Sequence, residues 1–255
     1  MKKHIAVITG ASSGMGAEFA RQIAALSEVE ELWLIARRAD RLEALGKELQ
    51  KPVRCLPLDL NSADAPDTLA AKLSEENADV RLFVHAAGFG KYGSYLDLTR
   101  EEVDGMIDVN LRSTVHTTYA VLPFMSRGGR VILLGSASAF QPLPYFNMYA
   151  STKAFVVHFS RALHVELKDR GISVTAVCPG FVRTEFFSVA KQTKNPDACN
   201  NFSPMYEPAD VIKKALRDSA RGKDLSVLGF TTNIRRIGAK LLPTSWSVAT
   251  WLKIK

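Results

Sequence analysis

Cysteine is scarce: Cys55, Cys178 and Cys199 are the whole complement among 255 residues. Three thiols, odd in number and widely spaced, make neither a disulfide framework nor a zinc site. They suit a reducing compartment, so a cytoplasmic protein without a metal is expected. Long hydrophobic runs are lacking too. The opening MKKHIAVITG begins like a signal peptide, but its apolar run Ile5–Ile8 is far shorter than a signal's core. No stretch approaches the length of a membrane span. A proline- or serine-rich linker and an internal repeat are also missing, which argues for one domain spanning 1–255. No basic stripe interleaved with aromatics runs through the body of the chain, so a nucleic-acid partner is not expected. Acid is the minority charge, 26 residues against 33 Lys and Arg. That balance favours an anionic ligand or surface without naming one.

What is present is enough for a large core, with 47% hydrophobic and 23% charged residues. Short apolar runs recur at His4–Ile8, Glu31–Ile35, Val53–Leu58, Val80–His85, Arg130–Gly135, Ile172–Val177 and Leu225–Leu228. Helical spacing fills Met15–Leu26, Arg38–Leu49, Asp64–Glu76, Arg100–Met125 and Met148–Arg170 between them. Such alternation predicts an α/β fold: a doubly wound Rossmann domain, its seven-stranded sheet mainly parallel, with helices on both faces. Ligands of these sheets bind beyond the carboxyl ends of the strands. The stretches to examine are therefore Thr9–Gly16, Ala36–Arg38, Asp59–Asn61, Ala86–Gly93, Ser136–Tyr145 and Cys178–Phe187.

The first of these reads TGASSGMG, with Gly10, Gly14 and Gly16 between strand one and helix one. Side chains are missing where backbone N–H groups at a helix N-terminus would meet a pyrophosphate. Ser12 and Ser13 offer hydroxyls. The spacing is TGxxxGxG rather than GxGxxG, and a merely flexible turn is the alternative. Strand two sharpens the reading. An NAD site places an acid at its end to hold the ribose 2′-hydroxyl, whereas here Ala36 is followed by Arg37 and Arg38. Two guanidiniums suit a 2′-phosphate, and hence NADP(H); the alternative is a pair of solvated arginines. Asp59, in LPLDLN, either accepts from an adenine amino group or caps its loop.

MYASTKAF puts Tyr149 and Lys153 four residues apart, on one face of a helix. A phenol of pKa about 10 needs a neighbouring ammonium to act at neutral pH. Ser136, thirteen residues before the tyrosine, is placed at the end of strand five to donate to a carbonyl oxygen. Asn110, in DVNLRST, falls inside the long helix before that strand, where asparagine is a weak helix former.

TGxxxGxG, Asp59, Ala86–Gly88, Asn110, Ser136, Tyr149-xxx-Lys153 and CPGFVRTEF together resemble the short-chain dehydrogenase/reductase family over residues 3 to 190. ARRADRL resembles members that use NADP(H). The resemblance implies an oxidoreductase interconverting a ketone or aldehyde and an alcohol. In it Tyr149 protonates the carbonyl oxygen, Ser136 polarises it, Lys153 lowers the tyrosine pKa and binds ribose, and Asn110 holds a relay water. It further implies a cofactor site that includes Met15, Leu60, Ala87 and Gly88, with Pro179, Gly180 and Val182 along the nicotinamide and Thr184 on its carboxamide or the pyrophosphate. One departure stands out. The chain reads HAAG from His85, where the family commonly reads NNAG with an asparagine tying adjacent strands. Members commonly form dimers or tetramers through the helices at Arg100–Met125 and Met148–Arg170. A dinucleotide-binding sensor or scaffold without turnover is the competing class.

Two segments remain. Residues 185–206 lack clear periodicity and are rich in aromatics, which reads as a lid over an apolar substrate, lipidic, steroid-like or aromatic; the alternative is that these side chains simply pack against the core. Tyr145, Phe181 and Phe186 are the expected contacts beside Ser136. The tail 231–255 carries Arg235, Arg236, Lys240, Lys253 and Lys255 among apolar residues and two tryptophans, with no acid. It either meets a membrane surface or packs on a neighbouring subunit or its own core.

Overall fold

The computed structural model describes residues 2–254, and the side chain of Ile254 lies outside the description with Met1 and Lys255. The strands of the main sheet are β1 (Lys3–Thr9), β2 (Glu31–Ala36), β3 (Val53–Pro57), β4 (Ala78–His85), β5 (Arg130–Leu134), β6 (Ser173–Val177) and, after two short strands named below, β9 (Leu225–Ser226). All pairings are parallel, in the order β3-β2-β1-β4-β5-β6-β9. β2 and β5 are buried along their whole length because helices cover both sheet faces. Along β1 the side chains alternate between two cores. Ala6 and Ile8 join Phe19 and Ile23 of helix α1 (Gly14–Ala24) and Val211 and Ile212 of α8 (Pro208–Ala220). Ile5 and Val7 join Leu69 of α3 (Ala65–Glu75), Val121 of α5 (Ser113–Val121) and Val156 of α6 (Asn147–Glu166). Helix α2 (Ala39–Glu48) covers the edge beside β3.

The chain order reverses between β1 and β4, which opens a crevice where their carboxyl ends diverge. His85, at the end of β4, is buried beside that crevice. Its Nδ1 is 3.2 Å from the Thr9 hydroxyl on β1 and its Nε2 is 3.3 Å from the Ser113 hydroxyl on α5. The imidazole thus ties neighbouring strands where an asparagine is expected.

The long helix expected over Arg100–Met125 is four pieces. Helix α4 (Arg100–Ile107) starts at a capping box between Thr99 and Glu102, and a π turn occupies Asp108–Arg112. Helix α5 follows, then a 3-10 turn at Leu122–Phe124 that contains Pro123. β5 stops at Leu134, so Ser136 does not end it. Its hydroxyl instead accepts from Ser138 N–H at 3.1 Å and starts a 3-10 turn over Ala137–Phe140.

Beyond β6, strands β7 (Phe181–Val182) and β8 (Met205–Tyr206) pair in parallel and close the base of the loop between them, which holds α7 (Phe186–Ala190). The tail forms α9 (Phe230–Leu241) and α10 (Thr244–Ile254). Among the described residues no helix is long and apolar enough to cross a membrane.

Candidate active site

The glycine turn is built by close approach. Gly10 has φ +67°, and a Cβ there would lie 2.7 Å from the Ala87 nitrogen at the end of β4. A Cβ on Gly16 would lie 2.2 Å from the Gly10 carbonyl oxygen. Only glycine lets the N-terminus of α1 sit this close to the crevice. Among the described residues no side chain caps that N-terminus: Ser13 flanks the helix with an extended backbone and makes no cap hydrogen bond. The first amide donors of α1 therefore face the crevice, and a pyrophosphate fits them.

The hydroxyls of Ser12 and Ser13 are engaged elsewhere. Arg38 Nη2 donates to both, at 3.0 Å each. Arg38 thereby leans over the turn from the end of β2, while Arg37 beside it is exposed. A third guanidinium, from Arg41, joins them through Glu185, donating to its two carboxylate oxygens at 2.7 and 2.9 Å. Arg38 stands 3.6 Å from the same carboxylate. The Arg41 hydrogen bond, foremost, holds the Glu185 carboxyl below its usual range. Asp59 Oδ1 accepts from Asn61 N–H at 3.1 Å, a loop cap, and the residue also borders the cavity.

Across the crevice α6 carries Tyr149 and Lys153 inward, both buried. Lys153 Nζ lies 5.8 Å from the centre of the Tyr149 ring and donates to the Leu134 carbonyl at 2.7 Å. Burial brings its pKa down to about 8. Burial likewise raises the Tyr149 pKa, and hydrogen bonding with Ser136 opposes the rise. Asn110 is fully buried in the π turn. It accepts from Phe89 N–H at 2.9 Å and donates to the Phe89 carbonyl at 2.8 Å and to the Thr152 hydroxyl at 3.1 Å. Gly88 passes between Asn110 and Lys153, where a Cβ would lie 3.0 Å from Asn110 Oδ1 and 3.1 Å from Lys153 Nζ.

Most of these groups surround one cavity of about 710 Å³, the size of a cofactor or drug-like ligand site. Its walls include Gly10, Ser12, Ser13, Gly14, Met15 and Gly16 from the turn, and Arg37, Arg38, Asp59 and Leu60 from the next two strand ends. Ala87, Gly88, Ser136, Tyr149 and Lys153 continue them, followed by Pro179, Gly180, Phe181, Val182, Thr184 and Phe186. Asn110 and Tyr145 are not in the lining. Asn110 stands behind Phe89. Tyr145 has φ +65°, and its side chain is 37% exposed. The far wall is aromatic: Phe146 stacks on Tyr149 with ring centres 4.4 Å apart, and Phe186 lies 5.2 Å from the same ring.

Some of the lining is not foreseen from sequence. Thr232, Arg235, Arg236 and Trp251 of the tail reach the cavity. Trp251 is 5% exposed and its Nε1 donates to the Pro144 carbonyl at 2.8 Å, so this part of the tail packs on its own core. Lys91 and Tyr92 lie in the loop after β4 that fold logic singles out, yet no motif marks them. Arg41 follows the arginine pair by one helical turn, a spacing that could have signalled it.

A family profile described as short chain dehydrogenase matches residues 4–195. Sulfoacetaldehyde reductase of Chromohalobacter salexigens is 37% identical over 185 residues, 70% of this chain and 72% of that protein. Serine 3-dehydrogenase of Agrobacterium fabrum is 32% identical over 217 residues, 82% of this chain and 85% of that one. Among solved structures, a short-chain dehydrogenase from Sphingobium yanoikuyae in complex with NADPH matches with a TM-score of 0.78 at 27% identity, covering 92% of each chain.

Proposed function

The chain belongs to the short chain dehydrogenase family, and we propose that it is an NADP(H)-dependent oxidoreductase interconverting a ketone or aldehyde and an alcohol on an apolar substrate. The observation that carries the reading is convergence. The helix N-terminus and arginines suited to a phosphorylated dinucleotide border the same cavity as the Ser136, Tyr149 and Lys153 side chains. When bound, the dinucleotide supplies or accepts the hydride. In reduction Tyr149 Oη gives its proton to the carbonyl oxygen, and Ser136 donates a hydrogen bond to that oxygen as negative charge develops on it. The Lys153 ammonium stabilises the resulting phenolate and binds ribose hydroxyls. Asn110 positions the Phe89 peptide and, through Thr152, the turn of α6 that bears Tyr149. Asp59 and Leu60 hold the adenine end, and Pro179, Gly180, Val182 and Thr184 the nicotinamide end.

Arg38, leaning over the glycine turn, supports the choice of NADP(H), with Arg37 beside it. The aromatic wall of Phe146, Phe181 and Phe186 supports an apolar carbonyl compound. Exposed Tyr119 on α5 and Phe155 and Val165 on α6 support a homodimer or homotetramer through these helices, and the scarcity of cysteine supports a cytoplasmic location. The test is titration with NADPH and NADH, followed by nicotinamide fluorescence. NADPH binding at least tenfold tighter, about 1.4 kcal/mol, and loss of that margin in Arg38→Ala are expected. Equal affinities overturn the 2′-phosphate assignment, and binding of neither favours a scaffold without turnover.

A further inference from the structure

Helix α9 is mounted with its apolar side outward. Phe230, Ile234, Ile237 and Leu241 recur at i, i+4, i+7 and i+11, one continuous stripe of the kind that ordinarily faces a core. Here Phe230 is 82% and Leu241 74% exposed, with Ile234 and Ile237 about half exposed. The residues turned to the cavity are polar, Thr232 and Arg236 among them. The stripe runs on through Leu242 into α10, where Trp246 is 62% exposed and Leu252 is exposed as well. Trp251 on the other side of α10 anchors the pair to Pro144.

The charge carried by these two helices has one sign. Arg235, Lys240 and Lys253 are exposed, and no acidic residue occurs between Leu225 and Lys253. That decides among occupants. A two-fold contact with a second copy would set each cationic, acid-free face against itself. An anionic bilayer offers the complement to both features: acyl chains for the stripe and headgroups for the cations. Tryptophan at the boundary suits the same interface.

We propose that the outer face of α9 and α10 docks onto anionic membrane surfaces. Thr232, Arg235, Arg236 and Trp251 border the cavity from the same two helices, so docking brings the cavity within one helix layer of the bilayer. That proximity suits delivery of a lipid-dissolved carbonyl compound, a use that rests on the reductase reading above, whereas the docking stands on the tail alone.

The test is co-sedimentation of the full chain with vesicles of phosphatidylcholine containing about one-third phosphatidylserine, against phosphatidylcholine alone, at physiological salt. The double variant Ile237→Glu/Leu241→Glu changes two exposed side chains outside the cavity and keeps the fold. The wild type is expected to partition at least tenfold more onto the anionic vesicles than the double variant does, with a blue shift of tryptophan emission, while NADPH titration is the same for both. Equal partitioning of the two proteins, or none by either, overturns the docking. If sedimentation without vesicles shows a wild-type dimer that the variant loses, the face belongs to a second copy and the lipid assignment falls. Vesicle binding without NADPH binding sinks the cofactor reading and leaves the docking intact.

Discussion

Asn110 grips both backbone polar groups of Phe89, accepting from its N–H at 2.9 Å and donating to its carbonyl at 2.8 Å. The π turn supplies this geometry. Its extra residue widens the helix where Asn110 turns inward, and such bulges often mark functional positions. Asn110→Ala leaves two partly buried groups unpaired beside the cavity. A loss of about 2 kcal/mol of stability is expected, lowering the melting midpoint by about 4–8 °C. Because Phe89 follows Gly88, which packs against Lys153, kcat should fall more than KM rises. An unchanged midpoint would mean that water satisfies both groups.

His85 makes stability depend on acid. Burial, foremost, with the Lys153 charge adding to it, holds its pKa down at about 3 against an ordinary 6.5. Below pH 6.5 the unfolded chain takes up a proton that the folded chain refuses. Stability present above that value is therefore lost as the pH falls toward 3, by about 1.4 kcal/mol per pH unit. His85→Asn removes this slope while retaining a side chain able to bridge Thr9 and Ser113. Urea midpoints of the two proteins should converge as the pH is lowered from 7 to 4.5; parallel curves would show that His85 is charged in the fold.

Lys153 works in the opposite range. Its folded pKa of about 8 lies below its ordinary 10.5 because of burial. Between these values the unfolded chain holds the extra proton, so stability rises with pH through the window, and the cost of burying the ammonium is in full force below pH 8. Against Lys153→Met, the wild type should gain about 1.4 kcal/mol per pH unit between pH 8 and 10.5. The difference in urea midpoints at pH 7.5 and 10 reads this directly, and a difference that does not change with pH would refute it.

Glu185 competes for one of the two arginines assigned to the 2′-phosphate, since its carboxylate, held by Arg41 at 2.7 Å, stands 3.6 Å from Arg38. Glu185→Gln removes the competing charge, so NADPH should bind several-fold tighter while NADH changes less. The ratio of the two dissociation constants is the readout, and a ratio equal to the wild type's would detach Glu185 from cofactor choice.

Much of this was legible before any fold was in view. The seven strands of the main sheet stand where apolar runs mark them, because a strand buried on both faces needs an unbroken run. The glycine turn announced itself because only glycine permits the approach at Gly10 and Gly16. Tyr149 and Lys153 share a face by helical spacing alone. The π turn was nearly hidden: only Asn110, a weak helix former, marks DVNLRST within the helix it interrupts, and its shape depends on what Asn110 reaches at Phe89. Tyr145 stands off the cavity lining for a similar reason, its backbone conformation being set by the turn around it rather than by its own aromatic character.

The sequence by itself determined the alternation of strands and helices, the order in which they carry the polar residues, and the excess of cation in the tail, since these depend on local pattern. Tertiary structure alone decided that Arg41 meets Glu185, 144 residues on, that Trp251 closes over Pro144, and that the apolar stripe of α9 faces out. An amphipathic helix states that it has two faces. Which one turns inward is set by the neighbours it packs against.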